Sequence, residues 1–484
     1  MKRLSSFFLL FVVVIVPLIL PPSSSAYYTN MPASVVVGKP DFTSSDTSIT
    51  SSNISIAGSG NNVFTDGKYL FVSDSHRVLL WNSIPTANGV SADVVLGQPD
   101  FISNTANNGG ISARTFSGAT GIAFDGTHLV VADLVNNRVL IWNSLPTVNQ
   151  QPADVVIGQS GFSTATSGTS ATAMTQPNGV YIVNGKLYIG AQHRVLIYNS
   201  IPTTNGAAAN VVVGQPDFSS NTANNGGISA STLNNSRGIY VFNNKLFVSD
   251  SGNNRVLIWN SIPTTNGVAA DIVLGQPDFV SNTAGVSCAS MTLPSFIRVI
   301  NNQRLVVGET NRVLIWNSIP TTNFTSADLV LGQPDCSAST SNNGGLSARS
   351  LNGGIRVGGE AGNKLIIGDT NNRRLLIFNN DLPDTKLTNT LVSGIENGRQ
   401  RFKGTASTNV VNGVVRYVEY SINGSSWTGA FPADGQFNDA TEDYSFDFDP
   451  KTNNADTGKN VGFVVRVRNT HNNTVDSGSS AVYF

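Results

Sequence analysis

The chain has 484 residues, more than one ordinary hydrophobic core organises, so two domains or a repeat array are expected. Charged residues make up 12% of it, against a usual ~25%, so neutral hydrogen-bonding groups of Asn, Ser, Thr and Gly must dominate the surface. A net charge of −1 with no Lys/Arg cluster excludes the counterion-release binding that nucleic acid requires.

At the N-terminus, Lys2 and Arg3 precede an apolar run from Phe7 to Leu20 and a small-residue stretch ending Ser24-Ser25-Ala26. This is the pattern of an export signal over residues 1–26, with the mature chain starting near Tyr27. The competing reading is a membrane anchor, which needs about 20 apolar residues, and this run is short and contains Pro17. No Cys follows it to accept a lipid and no second long apolar segment appears, so the expected product is secreted or displayed at the cell surface, without stable membrane insertion once the signal is removed.

From Ser34 onward the chain repeats itself. DVVLGQPDF at Asp93 returns as DVVIGQSGF at Asp154, NVVVGQPDF at Asn210, DIVLGQPDF at Asp271 and DLVLGQPDC at Asp328, and SVVVGKPDF at Ser34 is a truncated copy. A companion motif of the form RVLIWN begins at Arg77, Arg138, Arg194, Arg255, Arg312 and Arg374. Each unit holds four short apolar runs bounded by Gly, Asn, Asp and Pro, as at Gly238–Phe242, Leu246–Asp250, Arg255–Asn260 and Asp271–Gly275. These are strand lengths with turn punctuation. Four antiparallel strands repeated in six units predict an all-β, six-bladed propeller. The sixth unit runs out after Phe378, so the orphan copy at 34–42 is predicted to supply its outer strand through Val35–Gly38, joining the chain ends and removing an exposed edge.

The six arginines are separated by 61, 56, 61, 57 and 62 residues. The even units carry a longer turn before the Arg and an NNGG loop at Asn107, Asn224 and Asn342, which predicts a two-blade unit present three times. With the repeat laid out, ADLVNNRVLIWN at Ala132 and SDSGNNRVLIWN at Ser249 resemble the signature turn and strand of NHL repeats. The likeness covers roughly Ser34 to Asn380. It departs from the family in the length of its units and in the signature Asp, which is Ala191 in unit three and Glu309 in unit five. The resemblance implies a propeller of the kind commonly used as an interaction platform.

Past Pro383 the repeat stops, giving a propeller over 27–385 and a second domain over 386–484. Alternating strands at Arg416, Tyr444 and Val461, with a turn at Asn423-Gly424, predict a small antiparallel β-sandwich. The run YVEYSINGSSWTGAF followed by VRVRN resembles immunoglobulin-like modules of bacterial surface proteins, without their pair of Cys.

The aromatics Trp81, Trp142, Tyr198, Trp259, Trp316 and Phe378 recur once per blade, and Trp427 stands in the second domain. Burial of an aromatic removes some 150–250 Å² from water, so packing accounts for them without a ligand. Asp133 with Arg138 and Asp250 with Arg255 recur, which marks a turn clamp and not an acid–base pair. A single site must break the repeat. The aligned middle residues of the first strands, Phe64, Ala123, Tyr181, Tyr240, Arg298 and Arg356, do so, and two readings stand. Tyr181, Tyr240, Arg298 and Arg356 hold an anionic or sugar-like group at the channel mouth, or they pack between blades with their tips in solvent.

The histidines His76, His128, His193 and His471 do not converge as a zinc site requires and are expected as solvent-facing turn residues. DFDPKTNNAD at Asp447 lacks the Gly of a calcium loop and reads as a turn. No metal or cofactor is expected. Cys288 and Cys336, in consecutive units of an exported chain, either close a disulfide or stay as two thiols. There is no G-x-S-x-G elbow, Walker loop or metalloprotease helix. The leading expectation is a non-enzymatic binding or adhesion platform for a protein or carbohydrate partner. The alternative is a propeller enzyme of lyase or lactonase type working at the central channel.

Overall fold

In the computed structural model of the chain, Tyr27, residues 29–55 and residues 62–379 are described in full, and between Leu387 and Tyr483 the strands are described by their backbone alone. The export signal over 1–26, Trp427, residues 449–456 of the segment read as a turn at Asp447 and His471 lie outside the described residues, while Asp447 and Phe448 end a strand and not a turn. Among the described residues no helix is long and apolar enough to cross a membrane.

Five four-stranded antiparallel sheets follow one another from Val63 to Leu331, each pairing its strands in sequence order, and a sixth has three of its strands between Arg356 and Asn379. They are the blades of a propeller, numbered here one to six. The strands are short because turn residues interrupt them, and both faces of the inner ones are buried by neighbouring blades. The last blade is completed as the orphan motif predicts: Val35, Val36 and Val37 pair with Ile377, Leu376 and Leu375. The six recurring aromatics are all at most 2% exposed. Each Trp indole N–H donates to the carbonyl nine residues on, at 3.0 to 3.1 Å, so the ring is held as well as buried.

The rest of the motif ties strands and blades together. Gln98 of GQPD donates through Nε2 to the carbonyls of His76 and Thr105, both at 2.8 Å, and Gln159, Gln215, Gln276 and Gln333 repeat the pattern. The outer strand would leave backbone N–H groups open at each edge. Instead Val95, Val156, Val212 and Val273 donate to Asn149, Asn205, Asn266 and Asn323 of the following blade at 3.0 Å. On the inner side a glycine lets adjacent first strands meet: a Cβ on Gly179 would lie 1.8 Å from the carbonyl oxygen of Arg237.

The long–short alternation has a structural cause. Asn107 and Asn136 exchange amide hydrogen bonds at 3.1 and 2.7 Å, as do Asn224 with Asn253 and Asn342 with Asn372. The NNGG loops of even blades are thereby locked onto the longer turns of the same blades. Cys288 and Cys336 form a disulfide, which decides between the two readings of the cysteines.

The chain falls into two compact units, and the one that holds the propeller spans Tyr27–Asn380. Beyond it, strands at Leu387–Glu396, Arg399–Ser407, Thr441–Phe448 and Phe431–Pro432 form one antiparallel sheet, and Val415–Ile422, Thr428–Gly429, Asn460–Asn469 and Thr474–Tyr483 form a second.

Candidate functional site

The first strand of each blade lines the channel, and its register against the second strand fixes which residues share a level. Phe64, Ala123, Tyr181, Tyr240 and Arg298 stand opposite Phe71, Val130, Tyr188, Phe247 and Val306, all equivalent positions. Here the channel widens into a cavity of about 470 Å³ lined by Phe64, Phe124, Tyr181, Tyr240, Arg298 and Glu360, with Asp66, Asn301 and Asn302 among the residues around it. It opens among the turns joining first and second strands. In an antiparallel blade the NNGG loops lie on the opposite face, so the pseudo-threefold loops do not frame the cavity.

Arg298 is 4% exposed, and its Cζ sits 5.4, 5.7 and 5.8 Å from the ring centroids of Tyr240, Tyr181 and Phe64. Nη1 donates to the carbonyl of Ile297 at 2.8 Å. No carboxylate pairs with it among the described residues. Burial therefore lowers its affinity for the proton, and only the two tyrosines pull the other way. Rings on three sides stabilise the cation by their quadrupoles but do not neutralise it. Tyr181 and Tyr240 lie 4.8 Å apart, centroid to centroid, and the Tyr240 hydroxyl donates to the carbonyl of Val299 at 3.3 Å. Burial raises the Tyr181 phenol above its ordinary value, so it stays protonated and able to donate.

Across the cavity, Glu360 accepts the backbone N–H of Asn301 at 2.8 Å, and burial pushes its carboxyl up. The cavity thus offers an aromatic wall, a buried cation and carboxylate acceptors in Glu360 and Asp66.

Three of the four sequence-selected residues, Tyr181, Tyr240 and Arg298, meet at this level. Arg356 does not, which corrects the alignment. It stands opposite Gly368, two positions along the second strand from the shared level, and a bulge between Val357 and Gly359 brings Gly359 opposite Ile366 in its stead. Arg356 is 2% exposed, its guanidinium lies 5.1 Å from the Phe296 ring, and burial together with Arg237 lowers its pKa to about 9. Glu360 was missed because of that misalignment: it stands opposite Leu365, at the position that Thr65, Phe124 and Val299 hold in their own blades.

The Asp–Arg pairs are buried turn clamps, as expected. Arg138 meets Asp133 at 2.8 Å and Arg255 meets Asp250 at 2.7 Å, with all four side chains fully buried. The histidines need a correction. His76 and His193 are half-buried and do not simply face solvent. Their Nδ1 atoms accept the backbone N–H of Gly118 and of Asn235 in the next blade, each at 3.1 Å, and burial lowers both pKa values. Asn311 does the same work for Gly353 at 2.7 Å. Among the described residues no three His, Cys, Asp or Glu side chains gather as a metal site would need.

No protein-family model and no curated protein matches the chain. Solved structures similar to it include a glutaminyl cyclase of Myxococcus xanthus, 14% identical over 54% of this chain and 88% of that one, with a TM-score of 0.30. A protein of Thermus thermophilus described as an oxidoreductase (glucose dehydrogenase) is 12% identical over 67% and 98%, with a TM-score of 0.35. A protein of Bacteroides fragilis described as exported is 9% identical over 74% and 82%, with a TM-score of 0.27. At these scores the likenesses carry no argument about activity.

Proposed function

We propose that the protein is an exported, non-enzymatic binding platform of the NHL-repeat kind, and that its channel mouth takes a carboxylate-bearing sugar from a carbohydrate partner. The observation that carries this reading is Arg298, a cation 4% exposed, facing three rings and paired with no acid among the described residues. A carboxylate there gains a charge-assisted bond in a poorly hydrated setting, while sugar C–H faces stack on Tyr181 and Tyr240. The presence of Glu360 and Asp66 in the same cavity argues for a ligand that also donates, as sugar hydroxyls do, over a simple anion. The N-terminal signal pattern supports export, and the two four-stranded C-terminal sheets support an immunoglobulin-like sandwich that would attach or extend the propeller.

The test is an array of uronate-containing oligosaccharides against their neutral counterparts, probed with the wild type and with Arg298→Gln. Uronate-selective binding that falls at least tenfold in R298Q is the expected result. Binding of neutral sugars alone, or uronate binding untouched in R298Q, would remove Arg298 from the reading.

A further inference from the structure

Blade three departs from the others at a buried point outside the channel. In the other five blades a carboxylate ends the second strand opposite the arginine that begins the third. One of its oxygens takes the arginine Nε: Asp74 from Arg77 at 2.9 Å, Asp133 from Arg138 at 2.8 Å, Asp250 from Arg255 at 2.7 Å and Asp369 from Arg374 at 2.8 Å, with Glu309 and Arg312 paired likewise. In blades two, four, five and six the other oxygen takes a backbone N–H from the loop before the first strand, that of Ser117, Asn234, Thr292 or Asn352, at 2.6 to 2.8 Å.

Blade three has Ala191 in the carboxylate's place, opposite Arg194. Arg194 keeps the rest of the pattern: it is fully buried, Nη1 donates to the carbonyl of Phe218 at 2.7 Å and Nη2 to that of Ala173 at 2.9 Å. Its Nε has no partner among the described residues. The loop donor is also in position. Met174 packs over Gly158 as Phe116, Leu233, Met291 and Leu351 pack over the equivalent glycines, so Thr175 is the counterpart of Ser117, Asn234, Thr292 and Asn352. Thr175 donates its hydroxyl to the carbonyl of Gly168, and its backbone N–H has no acceptor among the described residues. No described acid contributes to the surroundings of Arg194: burial depresses its pKa and only Tyr198 acts against that.

We propose that a small monovalent anion, chloride in ordinary media, binds in blade three where the other blades have a carboxylate, bridging Arg194 Nε and the Thr175 N–H. Water there satisfies the donors but leaves the guanidinium charge uncompensated in a dry site, which is the costly arrangement. The space vacated by a carboxyl group suits a halide. Thr175 is half-buried, so its end of the site lies close to the surface. The site is distinct from the channel cavity and does not depend on what binds there.

The test uses the full mature protein, melted in sodium chloride and in sodium gluconate at equal ionic strength. The wild type is expected to gain a saturable rise of about 2–4 °C with chloride. Ala191→Asp rebuilds the clamp and is expected to melt at or above the chloride-saturated wild type with no chloride response. Arg194→Met, which removes the charge and keeps the stem, also loses the response and stands in should A191D fold poorly. In crystals grown with bromide, an anomalous peak beside Arg194 is expected in the wild type and not in A191D. Equal wild-type melts in the two salts, or a chloride response of equal size in both variants, would overturn the proposal.

Discussion

Asp250→Ala probes what holds a blade together. Asp250 and Arg255 are fully buried, and the carboxylate accepts the Arg255 Nε–H at 2.7 Å, the Asn234 N–H at 2.6 Å and the Asn253 side-chain amide at 2.8 Å. Burial pushes the Asp250 carboxyl up while these three donors and the guanidinium charge pull it down. Removing one member of a buried ion pair costs about 3–5 kcal/mol, because the remaining charge is stranded. Each neutral donor left open adds about 1–3 kcal/mol if nothing replaces its acceptor. These losses overlap, since one water or anion entering the space serves all three donors, and the expected destabilisation is about 4 kcal/mol. Equilibrium urea unfolding of D250A in gluconate buffer measures it. Adding Arg255→Met removes the stranded charge and keeps the packed stem, so the double variant is expected to recover more than half of the loss. A loss below about 1 kcal/mol, or no recovery in the double variant, would refute the view that these clamps are buried ion pairs whose halves depend on each other.

The half-buried histidines predict acid sensitivity. Their folded pKa values lie below the ordinary 6.5, so the unfolded chain takes up protons first and stability falls as pH drops below that value. His76→Asn with His193→Asn, copying Asn311, is expected to flatten the urea midpoint between about pH 7.5 and 5; identical slopes in wild type and variant would exclude these residues as the cause. Lys39 replaces the Gln of the other motif copies and donates to the carbonyls of Asp46 and Ile54 at 2.5 and 2.9 Å, and burial lowers its pKa from 10.5 to about 8. The unfolded state then binds the extra proton between those values, so wild-type stability rises with pH across that window. Relative to Lys39→Gln it is expected to gain roughly 2 kcal/mol between about pH 7.5 and 10, allowing for partial solvation. Chemical denaturation of both proteins across that range checks the sign. The disulfide closes a loop with a sequence separation of 48, and Cys288→Ser with Cys336→Ser is expected to cost at most about 4 kcal/mol. A melting temperature unmoved by reductant would show that the blade contacts alone fix that loop.

The six-fold repeat, the strand lengths and the orphan motif at Ser34 were enough to define the propeller and the strand that closes it, because each depends on local pattern and on the need to cover an open edge. The buried aromatics and the Asp–Arg clamps were legible for the same reason: recurrence from blade to blade marks a structural part. The level of a side chain in the channel was not legible. Arg356 reads as the partner of Arg298 in an ungapped alignment, yet its pairing with Gly368 sets it two positions from the level of Arg298, and past a one-residue bulge Gly359 and Glu360 come opposite Ile366 and Leu365 instead. Nor do the turn histidines announce in sequence that a backbone N–H of the next blade lies within reach, since only closure of the ring brings it there. Ala191 is visible in the chain as a missing Asp, but that its absence strands a charge follows only from the packing that seals Arg194 away from water. Sequence periodicity determined which residues are equivalent, and tertiary contact between blades decided which of them have unmet hydrogen bonds or charge.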